Sequence, residues 1–158
     1  MTALEDLAPI SEDYATLPVK EAFDWSAAAR QLGDGEWYMV AFHSIRRADA
    51  DIPRLTEYDD RAHQEAASAP GFVHYFKGPA AADRSCLSFC IWDSRGHARA
   101  AAGRPHHVQA VSLINEMYES YTLEFLRIKG RAGEPLRFEP YDAVPPPDPS
   151  FNPALAPA

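Results

Sequence analysis

The stretch "EWYMVAFHSI", residues 36–45, is the part of the sequence that decides the fold. It is rich in aromatic and branched residues, which indicates a β-strand. Apolar side chains occupy both sets of alternating positions: Trp37, Met39 and Ala41 in one set, and Tyr38, Val40 and Phe42 in the other. Because successive side chains of a strand point to opposite faces of a sheet, both faces of this strand are predicted to be covered.

The segments around this strand give the order of the elements. Residues 51–69 carry a helical apolar stripe, with Asp51 placed to cap the helix and Pro53 suited to its first turn. A second helix follows the third strand, is interrupted at "GRP" and resumes at Pro105. The order β-α-β-β-α-β predicts an α+β, ferredoxin-like fold with an antiparallel sheet. The predicted strands are residues 36–45, 72–78, 86–92 and 121–129, and the resumed helix runs to about residue 119.

Composition divides the chain into three parts. Residues 1–34 are an acidic N-terminal extension with a short helix near "WSAAARQL", capped by Asp24 or Ser26. Residues 35–130 hold the periodic structure and form the ferredoxin-like domain. Residues 131–158 are a proline-rich tail, and the prolines of "VPPPDPSFNPALAPA" are incompatible with helix and sheet. We expect the tail to lie along a partner subunit, because it carries the apolar residues Phe151 and Leu155 and a proline-rich arm loses little entropy on docking; the alternative is a disordered end.

The two-sided strands predict a second subunit. In the third strand, Leu87, Phe89 and Ile91 alternate with Cys86 and Cys90. The helices of a ferredoxin-like fold cover one face of the sheet, so the other apolar face needs another layer. A second copy of the sheet is the economical solution, which predicts a homodimer through the open face.

Charge and cysteine usage limit the partners and the compartment. The 158 residues carry a net charge of −8, which disfavours nucleic acids and anionic membranes as partners. No apolar run reaches the roughly 18 residues that span a bilayer, and the acidic start does not resemble a secretory signal. Cys86 and Cys90 lie four residues apart in a strand, about 13 Å from one another and too far for a disulfide. A cytoplasmic protein with reduced thiols is expected.

Three motifs carry a resemblance to a known family. They are "APGFVHYF" at a helix end and second strand, "FCIWDS" at the end of the third strand, and "RPHHVQA" at the restart of the second helix. Over residues 36–130 the chain resembles the dimeric α+β barrel superfamily, in particular its antibiotic-biosynthesis-monooxygenase-like domains. That superfamily includes cofactor-independent oxygenases, haem-degrading enzymes, polyketide cyclases, isomerases and proteins without known activity. The resemblance implies a ferredoxin-like homodimer and does not choose among these functions.

His106 and His107 are the main candidates for chemistry. If the helix restarts at Pro105, both lie in its first turn, where the helix dipole favours neutral imidazole. Neutral imidazole is what a general base or a metal ligand requires, and the free N–H groups there would suit an anionic substrate oxygen. In haem-degrading relatives a histidine of this helix binds the iron, which implies His106 or His107 as the ligand. The alternative is one buried and one solvated residue without a catalytic role.

Other candidates come from the strands. His74 and Tyr75 are predicted to act with His106 and His107 as catalytic residues, and a substrate pocket is expected at Trp92, Phe72, Phe76 and His43. His63, His97 and the acidic cluster "EYDD", residues 57–60, are expected on solvated helix surface. No metal site is expected, because adjacent helical residues point about 100° apart and no third ligand clusters with them.

Three functions remain open at this point. The first is a cofactor-independent enzyme that deprotonates a planar aromatic or polyketide-like substrate with a histidine, followed by oxygenation or ring closure. The second is a haem-binding protein with a histidine ligand from the second helix. The third is a non-enzymatic dimeric binding protein whose interior is filled.

Overall fold

A five-stranded antiparallel sheet forms the centre of the fold, with the strand order β2-β3-β1-β4-β5. The computed structural model describes residues 4–141, so the expectations for residues 142–158, including the docked tail, lie outside the described residues. The strands are β1 (Gly35–Arg46), β2 (Phe72–Phe76), β3 (Ser85–Trp92), β4 (Tyr118–Gly130) and β5 (Arg137–Pro140).

Helices lie on both sides of the sheet. The predicted β-α-β-β-α-β order and the α+β, ferredoxin-like fold class are confirmed. A short 3₁₀ helix at Tyr14–Thr16 and two helices precede β1, and four more connect the strands. The helices are α1 (Val19–Ala22), α2 (Ser26–Leu32), α3 (Ile52–Ala67), α4 (Arg95–Ala102), α5 (Pro105–Ser112) and α6 (Ile114–Met117).

Local chemistry sets the ends of α3. The Asp51 carboxylate accepts a hydrogen bond from the backbone N–H of Arg54 at 3.2 Å, as a capping residue does. The helix ends before Pro70, and Gly71 follows with φ +80°. A Cβ at Gly71 would lie 2.3 Å from the Asp93 carboxylate, so both the backbone angle and the space require glycine.

The second helical region is divided, as Pro105 predicts. α4 ends at Ala102, and α5 begins at Pro105 as its first residue. The region ends earlier than expected, because α5 stops at Ser112, α6 adds one turn, and β4 begins at Tyr118 instead of residue 121. The aromatic and branched residues of this stretch favour a strand once β1 is available for pairing.

The second face of the sheet is covered by the chain's own N-terminal extension. We call this face the extension side, and the face toward α3, α4 and α5 the helix side. Met39, Phe89 and Ile91 are fully buried on the extension side. The extension residues that pack there are Leu4, Leu7, Ala15, Val19, Ala22, Phe23, Trp25 and Ala28. The apolar layer that the two-sided pattern requires is therefore present within one chain.

This arrangement corrects the reasoning that led to a second subunit. The open sheet face that the homodimer was expected to use is occupied by residues of the same chain, and Met39 and Phe89 are not accessible. The homodimer stays a prediction without that argument.

A further difference from the predicted fold is the strand β5, which pairs with β4. It lies in the segment that was expected to be outside the sheet. The short run "RFEP" ends in a proline, which an edge strand tolerates.

The extension is predicted to contribute strongly to stability. Phe23 is 4% exposed and contacts the rings of Phe76 and Phe89 at centroid distances of 4.8 and 5.4 Å. We expect Phe23→Ala to lower the free energy of unfolding by about 3–5 kcal/mol, as truncation of a buried aromatic ring does. Ile10→Ala is the control, because Ile10 is 58% exposed and its truncation should cost less than about 0.5 kcal/mol. Denaturant unfolding measures both, and equal effects would contradict the packed layer.

Candidate functional site

A cavity of about 120 Å³ lies between the helix side of the sheet and helices α3, α4 and α5. Small residues of the helices leave this space, including Ala101 and Ala102 from the stretch "ARAAAG". The opposite wall is aromatic and comes from alternate positions of the strands. Its rings are Phe42, Tyr75, Trp92, Tyr118 and Tyr121.

His107 is the residue of the histidine pair that lines the cavity. Burial lowers the pKa of its imidazole, while a hydrogen bond to the Ala102 carbonyl and the nearby Glu65 carboxylate act in the opposite direction. The ring is therefore predominantly neutral at pH 7. Because one ring nitrogen donates to the Ala102 carbonyl, the other carries a lone pair that is able to accept a proton.

The start of α5 binds an anion, but that anion belongs to the protein. The Glu65 carboxylate accepts hydrogen bonds from the backbone N–H groups of His106 and His107 at 3.3 and 3.2 Å. The electropositive helix start that was expected to hold a substrate oxygen is thus occupied by a side chain of α3. His106 does not line the cavity, and its Nδ1 is buried without a hydrogen-bond partner in the part of the chain that the structure describes.

Two residues of α3 line the cavity although they were expected on solvated surface. Asp59, from the acidic cluster, and His63 both contribute to the wall. Burial raises the pKa of Asp59 to about 6, against the lowering effects of Lys77 and Arg46. Burial also lowers the pKa of His63, whose ring lies 4.5 Å from that of Tyr75. The sequence could have indicated this placement, because Asp59 follows Leu55 by four residues and His63 precedes Ala66 by three. Residues at these spacings share a face of a helix.

Neutral phenols and cations surround Asp59. Burial raises the pKa of Tyr75, Tyr118 and Tyr121, so their hydroxyl groups remain protonated donors. Arg46 lines the same end of the cavity, and its Nε is buried without a hydrogen-bond partner among the described residues. Lys77 is paired with Asp60 at 3.1 Å. This end of the cavity therefore combines a carboxylate, a guanidinium and several hydroxyl donors.

A bulge in β2 separates the residues that were predicted from the strands. The register with β3 shifts between Phe72 and His74. Tyr75 and Phe72 pack on the helix side, where the Phe72 ring contacts Trp92 at 5.5 Å. His74 lies opposite Ile91, and Phe76 packs with the extension, so both are on the extension side. The structure therefore places Phe72 on one side of the sheet and His74 and Phe76 on the other.

His43 also lies on the extension side. Its Nε2 and the backbone N–H of Val19 both contact the Glu124 carboxylate, which joins β1 and β4 to the start of α1. The structure thus brings together His107, Tyr75 and Trp92 at the cavity, with Phe72 beside it. The residues His43, His74, Phe76 and His106 do not line it.

A second groove, of about 890 Å³, lies between the extension and the turn that joins β4 to β5. Phe23, Trp25 and Phe138 form its apolar floor. Its charged side chains have mixed sign, and the described lining contains no histidine, cysteine or tyrosine. The described lining of the groove therefore lacks the imidazole, thiol and phenol groups that line the smaller cavity.

Haem does not fit the smaller cavity. An engineered protein cavity of about 150 Å³ holds a single benzene ring, whereas haem is a macrocycle of four pyrrole rings around an iron. The cavity here is about 120 Å³, and only one of the two predicted iron ligands lines it. We therefore derive no step through haem.

Within residues 4–141, no three histidine, cysteine, aspartate or glutamate side chains cluster as a metal site.

Solved structures with this fold include oxygenases. SnoaB, a cofactor-independent oxygenase from Streptomyces nogalater, is 15% identical with a TM-score of 0.50, covering 63% of this chain and 99% of that chain. A putative antibiotic biosynthesis monooxygenase from Nitrosomonas europaea is 13% identical with a TM-score of 0.52, covering 63% and 95%. Rv0793 from Mycobacterium tuberculosis is 19% identical with a TM-score of 0.51, covering 57% and 92%.

These likenesses confirm, at the level of the fold, the resemblance to antibiotic-biosynthesis-monooxygenase-like domains. A search of functionally curated proteins found no match. In the part of the chain that the structure describes, no helix is long and apolar enough to cross a membrane. The sequence profile of the PB2B2.08-like family matches residues 1–140, which is most of the chain, and the protein therefore belongs to the PB2B2.08-like family.

Proposed function

We propose that this protein is a small-molecule enzyme of the antibiotic-biosynthesis-monooxygenase-like class, which deprotonates a planar aromatic substrate with His107. The observation that carries the proposal is the position of the His107 imidazole, whose pKa is lowered by burial, at a cavity with an aromatic wall. Such a wall keeps part of the solvent from the substrate and strengthens the electrostatic interactions that stabilise a developing anion. The fold shared with SnoaB, itself a cofactor-independent oxygenase, supports the class.

The proposed reaction begins with a proton transfer. His107 accepts a proton from an acidic C–H or O–H group of the substrate, and the electron pair stays on the substrate as a carbanion or phenolate. In oxygenation, O2 accepts these electrons, one oxygen atom remains as a new carbonyl, and the other leaves as water with two substrate hydrogens. In ring closure, the carbanion attacks a carbonyl of the same molecule. Neither route uses a bound cofactor.

The cysteines support the proposed cytoplasmic location. Cys86 and Cys90 are both free and buried. Burial raises the pKa of both thiols, which keeps them protonated and unreactive. Reduced, unpaired cysteines are usual in the cytosol, where disulfides are rare.

Activity is predicted to depend on His107. The substrates to test are phenols and β-diketones of one to three rings, with oxygen uptake measured by an electrode and products by mass spectrometry. Oxygenation adds one oxygen atom and removes two hydrogen atoms, whereas ring closure removes water without oxygen uptake. We expect His107→Gln to lower kcat by about 10²- to 10⁴-fold, the usual contribution of a general base.

The matched control for this test is His97→Gln. His97 lies on α4 and is exposed, and its side chain contacts the Asp93 carboxylate. Its replacement should leave kcat unchanged within about twofold, because exposed ion pairs contribute little. Equal losses in both variants, or full activity in His107→Gln, would contradict the proposed base.

Asp59 is predicted to destabilise the fold at neutral pH, as desolvated functional groups often do. Its pKa rises from the ordinary 3.8 to about 6, so the folded state holds the proton more tightly than the unfolded state. Stability is therefore greatest below pH 3.8 and is lost as the pH rises toward 6. A tenfold change in proton affinity is worth about 1.4 kcal/mol, so the loss at pH 7 is about 3 kcal/mol.

Denaturant unfolding of Asp59→Asn tests this prediction. At pH 7 the variant should be more stable than the natural protein by up to about 3 kcal/mol, and the difference should vanish near pH 4. Asp60→Asn is the control, because Asp60 is exposed and pairs with Lys77 on the surface. A stabilisation of Asp59→Asn that is the same at both pH values would show that the carboxyl is not desolvated.

A further inference from the structure

The cavity has a buried donor that the described residues leave unpaired, and a half-buried carboxylate lies near it. Arg46 enters from β1, and its Nε is buried without a hydrogen-bond partner among residues 4–141. Asp59 enters from α3, and its carboxylate accepts no hydrogen bond and forms no close ion pair among the described residues. Buried polar groups in native proteins are normally paired, so the unpaired Arg46 Nε calls for an explanation, and the half-buried Asp59 carboxylate beside it is an acceptor that can take part in binding.

A ligand with adjacent oxygen atoms would satisfy both groups. Arg46 offers an N–H donor and requires an oxygen acceptor. The ionised Asp59 carboxylate is an acceptor and requires an O–H donor. A hydroxyl next to a second oxygen on one ring supplies the donor and the acceptor together. Because the charges of Arg46 and Asp59 compensate each other, such a ligand is neutral when it binds.

The size of the cavity limits the ring system. Its volume of about 120 Å³ is close to that of cavities of about 150 Å³ that hold one benzene ring. A two-ring or three-ring molecule needs a larger space than the helices leave. The rings of Phe42, Tyr75 and Trp92 line the cavity and offer apolar and edge-on contacts to a planar ligand.

We propose that the site takes a single six-membered ring that carries a hydroxyl next to a second oxygen, with Arg46 and Asp59 as the residues that determine this specificity. The proposal narrows the substrate class of the proposed function and rests on it. The Nε–H of Arg46 donates a hydrogen bond to one oxygen of the ligand, and the Asp59 carboxylate accepts a hydrogen bond from its hydroxyl group. His107 lines the same cavity and is the base.

Catechol is the probe, and its binding is measured by calorimetry without oxygen, so that no turnover interferes. We expect Arg46→Met and Asp59→Leu each to weaken binding by about 10- to 150-fold, the effect of a lost hydrogen bond to a charged group. Arg47→Met and Asp60→Leu are the matched controls, because both residues are exposed neighbours, and binding should change less than twofold. Normal catechol binding in Arg46→Met and Asp59→Leu would overturn the proposal.

A second measurement uses the natural protein and does not depend on whether the variants fold. Toluene, which has the ring without the oxygens, and 2,3-dihydroxynaphthalene, which has the oxygens on two rings, should each bind at least about tenfold more weakly than catechol. Equal binding of the naphthalene or of toluene would overturn the proposal. Selective catechol binding without oxygen uptake or ring closure would contradict the proposed enzyme function alone.

Discussion

The burial of β1 on both faces is the constraint on which the rest of the structure depends. This strand lies between β3 and β4, and four consecutive residues, Tyr38, Met39, Val40 and Ala41, are at most 3% exposed. A strand without a polar face requires an apolar layer on each side. α3, α4 and α5 provide one layer, and the N-terminal extension provides the other. The two layers differ in character, and this difference locates the cavity.

The extension side is filled by large rings, and the helix side is not. Phe23 and Trp25 reach into the sheet and contact Phe89 at centroid distances of 5.4 Å each, which leaves little space between the layers. On the helix side the facing residues of α4 are alanines, so the strands' aromatic rings border a cavity. The single bulge in β2 then decides which strand residues have access to it, because it places Phe72 and His74, which would otherwise share a face, on opposite sides of the sheet.

Much of the fold could be predicted from local features of the sequence. Pro53, the Pro70–Gly71 pair and Pro105 mark helix ends by backbone chemistry, and the strands are rich in branched and aromatic residues. The source of the second layer could not be predicted in this way. The apolar residues of the extension are spread among acidic ones without a helical or strand period, so that only the folded chain brings them together. The bulge in β2 has no sequence signature, and for that reason the separation of Phe72 from His74 and Phe76 could not be predicted.

The start of α5 shows how one electrostatic feature serves the site indirectly. A helix start with free N–H groups attracts an anion, and this much follows from Pro105 alone. Glu65 supplies the anion, and its two hydrogen bonds fix α5 against α3 at the point where His107 enters the cavity. The imidazole is thereby held between Glu65, the Ala102 carbonyl and the aromatic wall. Since the helix start is already neutralised, a substrate oxygen must find its partners elsewhere, and Arg46, whose buried Nε has no partner among the described residues, lines the cavity near Asp59. The protein's own carboxylate thus positions the base, and recognition of the substrate is left to other residues of the cavity.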